Sequence, residues 1–359
     1  MSMRINYSDQ TLSVAALSHV PKTKLILMGE LLQRIGISTI DIPIEQAKIY
    51  GFSQGLINNA FRAVIKPVVR DVDTAYRLGF QRISVPYHHK TGELSNVVYE
   101  LLEKARRLNV DCSLEIENAS SFPVSELAAV INSLKDQQLD TVIYGDRYSL
   151  MEPLRTYNIL KHVRQLTEFN VEFHAHDGYH LATANTLSAI KAGVRHVATS
   201  VTGVGNAKHA PFEEVVLAAR HLCSLSDNIA AQDFAAECAI IATYLGKEIP
   251  VDKAIIGKNI FAHESGLHVH GVMKNPSIYE AFPPEEVGLS RFLIIGKHSG
   301  SAALQAALSK LGIEPSTAEL QKLLKSVRTI VSHKKSHLTP YELLHLYNRR
   351  EGGSYEASQ

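Results

Sequence analysis

Two histidines separated by a single residue, His174-Ala175-His176, run directly into Asp177. On a strand such a pair projects to one side, because side chains alternate between faces. Two imidazoles on one side can share a divalent metal, and they serve equally as polar walls of a metal-free pocket. A second cluster reads Ala262-His263-Glu264-Ser265-Gly266-Leu267-His268-Val269-His270-Gly271, with Lys274 and Tyr279 beyond it. Histidines and a glutamate framed by glycines are poor core material, and histidine is the usual acid or base near neutral pH. The structural alternative is a set of histidines capping a turn at a domain interface. A third segment, Ser200-Val201-Thr202-Gly203-Val204-Gly205-Asn206-Ala207-Lys208-His209, has glycines that let backbone N–H groups approach an anion closely. Arg62, His88 with His89, and Glu115 with Glu117 are further polar candidates, the two glutamates either facing a pocket or divided between solvent and an internal ion pair.

Elements must bring these residues together. From the start to about residue 223, short β-branched runs alternate with longer amphipathic stretches, the pattern of repeated βα units. Strands are predicted at 4–7, 39–44, 61–69, 82–87, 111–117, 141–144, 171–176 and 196–201. Helices are predicted at 22–35, 95–108, 124–138, 152–166 and 212–222, where apolar residues recur every three to four positions. Eight such units predict an α/β TIM (β/α)8 barrel, with a doubly wound open sheet as the alternative. No GxGxxG or GxxxxGK[ST] follows the first strand, which disfavours an open sheet with a nucleotide site. In a barrel the strands' C-terminal ends carry the chemistry. His174 and His176 end the seventh strand, and the loop holding Lys208 and His209 follows the eighth. After Cys223 the pattern turns helical and then rich in glycine and histidine, so a barrel over 1–225 and a mainly helical C-terminal subdomain over 226–359 are expected.

Composition narrows the partners. Of 359 residues 45% are hydrophobic and 20% charged, an ordinary globular balance. Lys and Arg number 37 against 36 acidic residues, a net charge of +1, and no basic run suggests nucleic acid or a membrane surface. No apolar run approaches the roughly 18 residues of a membrane span, and the N-terminus carries no apolar signal segment. Cys112, Cys223 and Cys238 lie far apart, as expected of thiols in a reducing compartment. A cytoplasmic protein whose partner is a small molecule or another protein is the expectation.

Together, His174-Ala175-His176, Ala184-Asn185-Thr186, Gly203-Val204-Gly205, Pro211-Phe212-Glu213-Glu214-Val215, the whole of 257–288 and Gly296-Lys297-His298-Ser299-Gly300 resemble the homocitrate synthase and 2-isopropylmalate synthase family. The resemblance covers nearly the whole chain. It implies a TIM barrel, a C-terminal subdomain and a divalent metal (Mg²⁺, Mn²⁺ or Zn²⁺), and a reaction in which acetyl-CoA condenses with a 2-oxo acid and the thioester is hydrolysed. It further implies that His174 and His176 are metal ligands and that His268 and Tyr279 complete a neighbouring subunit's site, His268 as acid/base, which requires a homodimer. Arg62, Glu117 and Thr141 match substrate-pocket positions.

Two family motifs are altered. The family's opening pattern, approximately D-T-T-L-R-D-G-E-Q, reads Asp9-Gln10-Thr11-Leu12-Ser13-Val14-Ala15-Ala16, so Ser13 replaces a cationic stabiliser and Val14 an acidic ligand. The pattern G-x-G-E-R-A-G-N ends here at Ala210 in place of an asparagine ligand. Asn206, Lys208 or His209 could rebuild part of the site, with the Lys208 ammonium substituting for the lost cation. Three functions fit: an acyltransferase with a remodelled site, a related carbon–carbon lyase or aldolase, and a non-catalytic paralogue that binds a ligand or an active partner subunit.

Overall fold

A computed structural model describes residues 4–90, 94–205, 208–225, 231–263, 275, 280–335 and 337–349. The order begins β1 (Asn6–Asp9), α1 (Thr11–Leu17), α2 (Lys22–Arg34), β2 (Thr39–Pro43), α3 (Ile44–Ile49), β3 (Phe61–Val64), α4 (Val69–Leu78) and β4 (Arg82–Tyr87). It continues through α5 (Asn96–Arg107), β5 (Asp111–Ile116), α6 (Val124–Ser133), β6 (Thr141–Asp146), α7 (Pro153–Leu166), β7 (Asn170–Ala175), α8 (Ala182–Lys191), β8 (His196–Thr199), α9 (Phe212–Cys223) and α10 (Phe234–Tyr244). The eight strands pair in sequence order, all parallel, and β8 returns to β1 to close a TIM barrel.

Local chemistry sets many boundaries. Pro153 opens α7, where the Glu152 carboxylate accepts the Leu154 and Arg155 N–H groups at 2.9 and 2.5 Å. The α4 helix ends on Gly79 in the left-handed conformation. β3 stops at Val64, short of the expected 69, because the chain turns at Pro67 and α4 begins at Val69.

The barrel interior departs from the usual branched aliphatic packing. Arg62, 1% exposed, donates from Nε and Nη2 to Asp41 of β2 at 2.7 and 2.9 Å, and from Nη1 and Nη2 to Glu172 of β7 at 2.9 and 3.1 Å. The Ser8 hydroxyl of β1 also donates to Glu172. Burial pushes the Glu172 carboxyl upward, but the Arg62 charge and these hydrogen bonds overcome it and hold the group down at about 2. Bidentate pairing of this kind satisfies ions that would otherwise be very costly to desolvate.

β1 runs two residues later than the sequence suggested, which brings Asp9 to its C-terminal end. Asp9 is fully buried and accepts from the Thr11 hydroxyl at 2.5 Å and the Leu12 N–H at 3.0 Å, capping α1. Burial pushes its carboxyl up to about 7. An acid that titrates higher in the folded than in the unfolded chain stabilises below its unfolded pKa, and that contribution is lost as pH rises through the folded value. Wild type should therefore lose stability relative to Asp9→Asn between about pH 4 and 7. Urea midpoints measured across that range test it; a pH-independent difference would refute it.

The chain divides into Met1–Ile249 and Pro250–Gln359. The division falls beyond the expected 225, because α10 packs on α2 and Arg34 pairs with Glu237 at 2.8 Å. In the second unit, Ala262–His263 and Phe292–Leu293 form a two-stranded parallel sheet, followed by helices Ser301–Ser309, Thr317–Lys334 and Pro340–Asn348. Ser316 with Glu319 and Thr339 with Glu342 form capping boxes on the last two, and Leu304, Leu308, Leu323 and Val327 are among the core they enclose. Among the described residues, no helix is long and apolar enough to cross a membrane.

Candidate active site

His174 and Glu172 lie on the same face of β7, so the strand that anchors the interior ion network also aims His174 toward the barrel's C-terminal end. There His174 meets two more imidazoles. His176 follows β7, and His209 sits in the loop after β8, joined to His176 by an isolated antiparallel bridge. The ring centroids of His174, His176 and His209 stand 4.8, 5.1 and 5.0 Å apart pairwise. One nitrogen from each lies within 4.8 Å of the others.

The loop that delivers His209 closes tightly. Ser200 N–H donates to Ala210 O at 3.1 Å, Phe212 N–H to Ser200 O at 2.9 Å and His209 N–H to Gly203 O at 3.4 Å. Gly205, at φ +136°, lies under the His209 ring, where an added Cβ would approach Nε2 to 2.7 Å. A side chain at 205 would thus exclude the ring from its place.

Each ring has a defined partner. His174 Nδ1 stands 2.6 Å from Glu115 Oε1, which leaves Nε2 directed into the cluster, 3.1 Å from His209 Nδ1. His176 Nδ1 lies 3.2 Å from Lys208 O, leaving its Nε2 free of that contact. Burial alone would lower the pKa of His174, but the Glu115 carboxylate outweighs it and the net shift is upward. Burial and the neighbouring His174 push His176 down to about 4, and burial with both neighbours pushes His209 well below its ordinary value. His176 and His209 are thus neutral near pH 7, with lone pairs available for a metal. The donor set fits a divalent ion.

The other expected residues fall in different places. Thr141 opens β6 at the barrel's N-terminal end, its hydroxyl donating to Asp140 at 2.7 Å, so it does not join the histidines. Arg62 is committed to Asp41 and Glu172 inside the barrel, and its buried guanidinium offers no open face to a substrate carboxylate. Both side chains thus have partners within the protein. Glu117, just past β5, pairs with Arg147, while Glu115 one turn of the pleat below it holds His174. The two glutamates thus have separate partners, Glu117 at Arg147 and Glu115 at His174. Lys208 is exposed, at φ 51°, and its carbonyl faces His176. Buried His89 packs on Phe122 in the core. His268, Tyr279 and Asn206 lie outside the described residues.

Ser13 and Val14, the altered positions, lie in α1, where the Ser13 hydroxyl donates to Asp41 O at 2.8 Å and Val14 presents only an aliphatic side chain. Ala210 is fully buried. Sequence reasoning missed Gly145, although an isolated glycine inside a strand pattern signals a close backbone approach. It pairs with His174 across β6 and β7, and the backbone of Glu117 crosses directly over it.

Residues 15–240 match the HMGL-like family, and residues 255–335 match the family described as homocitrate synthase post-HMGL domain-like. The chain is 31% identical over 340 residues to "2-isopropylmalate synthase 2" of Caldanaerobacter subterraneus subsp. tengcongensis, covering 90% of this chain and 88% of that protein. It is 41% identical over 204 residues to "Homocitrate synthase 1" of a Nostoc species, covering 56% of this chain and 54% of that protein. Among solved structures, an HMG-CoA lyase from Bacillus subtilis superposes with a TM-score of 0.56 at 16% identity, over 70% of this chain and 97% of that one, a likeness of fold alone.

Proposed function

Because this chain belongs to the HMGL-like family and its residues 255–335 match the homocitrate synthase post-HMGL domain-like family, we propose that it is an acyltransferase condensing acetyl-CoA with a 2-oxo acid. The observation that carries this reading is an imidazole cluster at the strand ends of a barrel similar to a 2-isopropylmalate synthase along 90% of the chain. His174, His176 and His209 would hold a divalent ion, which when bound polarises the ketone of the oxo acid.

The remaining work falls to the chain's own groups. Glu115 orients His174, accepting at Nδ1 so that Nε2 faces the cluster. The methyl group of the thioester must lose a proton before its carbon attacks, and we assign that proton to His268, with Tyr279 orienting the base or stabilising developing charge. Both serve a neighbouring barrel in this reading, so the working unit is a homodimer. Lys208, exposed in the loop beside His176, provides positive charge for the enolate oxygen in place of the arginine that Ser13 replaces. Glu117, paired with Arg147 just past β5, is assigned in this reading to contact with the substrate. Soluble substrates of this kind agree with a cytoplasmic enzyme.

Thiol release from acetyl-CoA, measured with Mg²⁺, Mn²⁺ or Zn²⁺ across 2-oxoglutarate, 2-oxoisovalerate, pyruvate and oxaloacetate, tests the reaction. One acceptor should stimulate release, and His174→Ala should reduce it by at least about 100-fold. Folded, metal-bearing protein that is silent with every acceptor would overturn the acyltransferase reading and favour a carbon–carbon lyase or a ligand-binding partner subunit.

A further inference from the structure

We propose that His174, His176 and His209 form an all-nitrogen site that selects a borderline transition metal such as Zn²⁺ over the hard ions Mg²⁺ and Mn²⁺, with His209 supplying a ligand that the family pattern does not use. The inference rests on the reading of this barrel as metal-assisted and deepens it by naming the class of ion.

The donor chemistry is the first ground. The three residues offer imidazole nitrogens only, while the two altered positions, Val14 and Ala210, carry aliphatic side chains where the family pattern has oxygen donors. Hard cations require several oxygen ligands, whereas imidazole suits zinc and its neighbours in the first transition row. Glu115 reaches the trio only through His174 Nδ1, at 2.6 Å, the place of a carboxylate that orients a ligating histidine without binding the ion.

Geometry is the second ground. Two nitrogens bound tetrahedrally to zinc at about 2.0–2.1 Å stand about 3.3 Å apart, and His174 Nε2 lies 3.1 Å from His209 Nδ1. That pair already has the spacing of a shared ion, and side-chain adjustment brings in the third nitrogen of a set whose members all lie within 4.8 Å of one another. The His209 ring is held there by the His176 backbone bridge and by the space above Gly205, two features that have no evident use if His209 is merely a loop residue. Three protein nitrogens leave a fourth position open, as in catalytic zinc sites.

The test uses full-length protein stripped with a chelator and titrated by calorimetry with Zn²⁺, Co²⁺, Mg²⁺ and Mn²⁺ separately. Zn²⁺ and Co²⁺ should bind one per chain, Zn²⁺ at least about 1000-fold tighter than Mg²⁺, and Co²⁺ should give the intense visible bands of a four-coordinate nitrogen site. His209→Ala and His209→Gln, the second keeping a polar side chain of similar reach, should each weaken Zn²⁺ by at least about 100-fold, and Glu115→Gln by about 10–100-fold. Mg²⁺ or Mn²⁺ binding as tightly as Zn²⁺, or Zn²⁺ affinity unchanged in both His209 variants, overturns the proposal. The two readings fail separately. Selective zinc binding without thiol release would sink the acyltransferase and leave the metal assignment standing; thiol release supported by Mg²⁺ and indifferent to His209 would do the reverse.

Discussion

Arg62→Met lowers folding stability by about 3–5 kcal/mol, the loss expected when one partner of a buried ion network is removed and its counter-charges remain. Methionine roughly fills the volume, so the loss comes from charge rather than from a cavity. Asp41 and Glu172 are 2% and 3% exposed, and Arg62 supplies four hydrogen bonds to them. Without it, two carboxylates face each other in a dry interior. The pH dependence should invert as well. In wild type the depressed Glu172 contributes stability that is present above its unfolded pKa of 4.5 and is lost as pH falls toward about 2. In Arg62→Met burial no longer has the Arg62 charge to oppose it at Glu172, which takes up a proton more readily in the fold than in the unfolded chain, so acid stabilises the variant relative to neutral pH. Adding Asp41→Asn and Glu172→Gln should recover most of the deficit. Urea unfolding of the three proteins decides the matter, and a single Arg62→Met variant within about 1 kcal/mol of wild type would contradict the network's role.

Gly145→Ala damages both the fold and the site. The added Cβ would lie 2.6 Å from Glu117 O, 2.7 Å from its Cα and 2.8 Å from its carbonyl carbon. All three are backbone atoms, so no side-chain rotation relieves the clash and the end of β5 must move away from β6. Overpacking of this kind costs about 1–3 kcal/mol. The displacement also reaches the chemistry, because Gly145 pairs with His174 in the ladder and Glu115 lies two residues before the displaced Glu117. Zinc affinity and thiol release should therefore fall by more than the stability loss explains. Gly300→Ala is the control, since nothing lies within 4 Å of a Cβ there. Equal behaviour of the two variants would show that the approach of the Glu117 backbone to Gly145 is not constrained.

The eight strands and the direction of the histidine pair were legible because both rest on period. Alternation along 171–176 puts His174 and His176 on one side whatever the rest of the chain does. The end of β1 was not legible. Ser8 and Asp9 read as polar residues past the predicted strand at 4–7, yet both lie in it and are buried, because Glu172 and the first turn of α1 supply partners that no local pattern reveals. Arg62 misleads for the same reason: its carboxylates lie 21 and 110 residues away, and in the sequence it reads as a free cation awaiting a substrate. Thr141 is a different case: the predicted strand at 141–144 already starts on it, which puts it at the barrel's N-terminal end, and the structure keeps it there as the first residue of β6. α10, Phe-Ala-Ala-Glu-Cys-Ala-Ile-Ile-Ala-Thr-Tyr, is apolar around most of its circumference, so no face announces the unit it joins. His209 was visible as one polar residue among several in its loop; only the return of the chain onto His176 singles it out.

The Arg62 network has a consequence for how such a barrel can be divided. Asp41 and Arg62 belong to the first four strands and Glu172 to the last four. A fragment ending after β4 keeps the guanidinium with half of its partners, and a fragment beginning at β5 keeps a carboxylate with none. Neither half-barrel can bury its inner face without stranding a charge, so separately expressed halves should gain structure only on recombination, and the eight-fold repeat persists as a single cooperative unit.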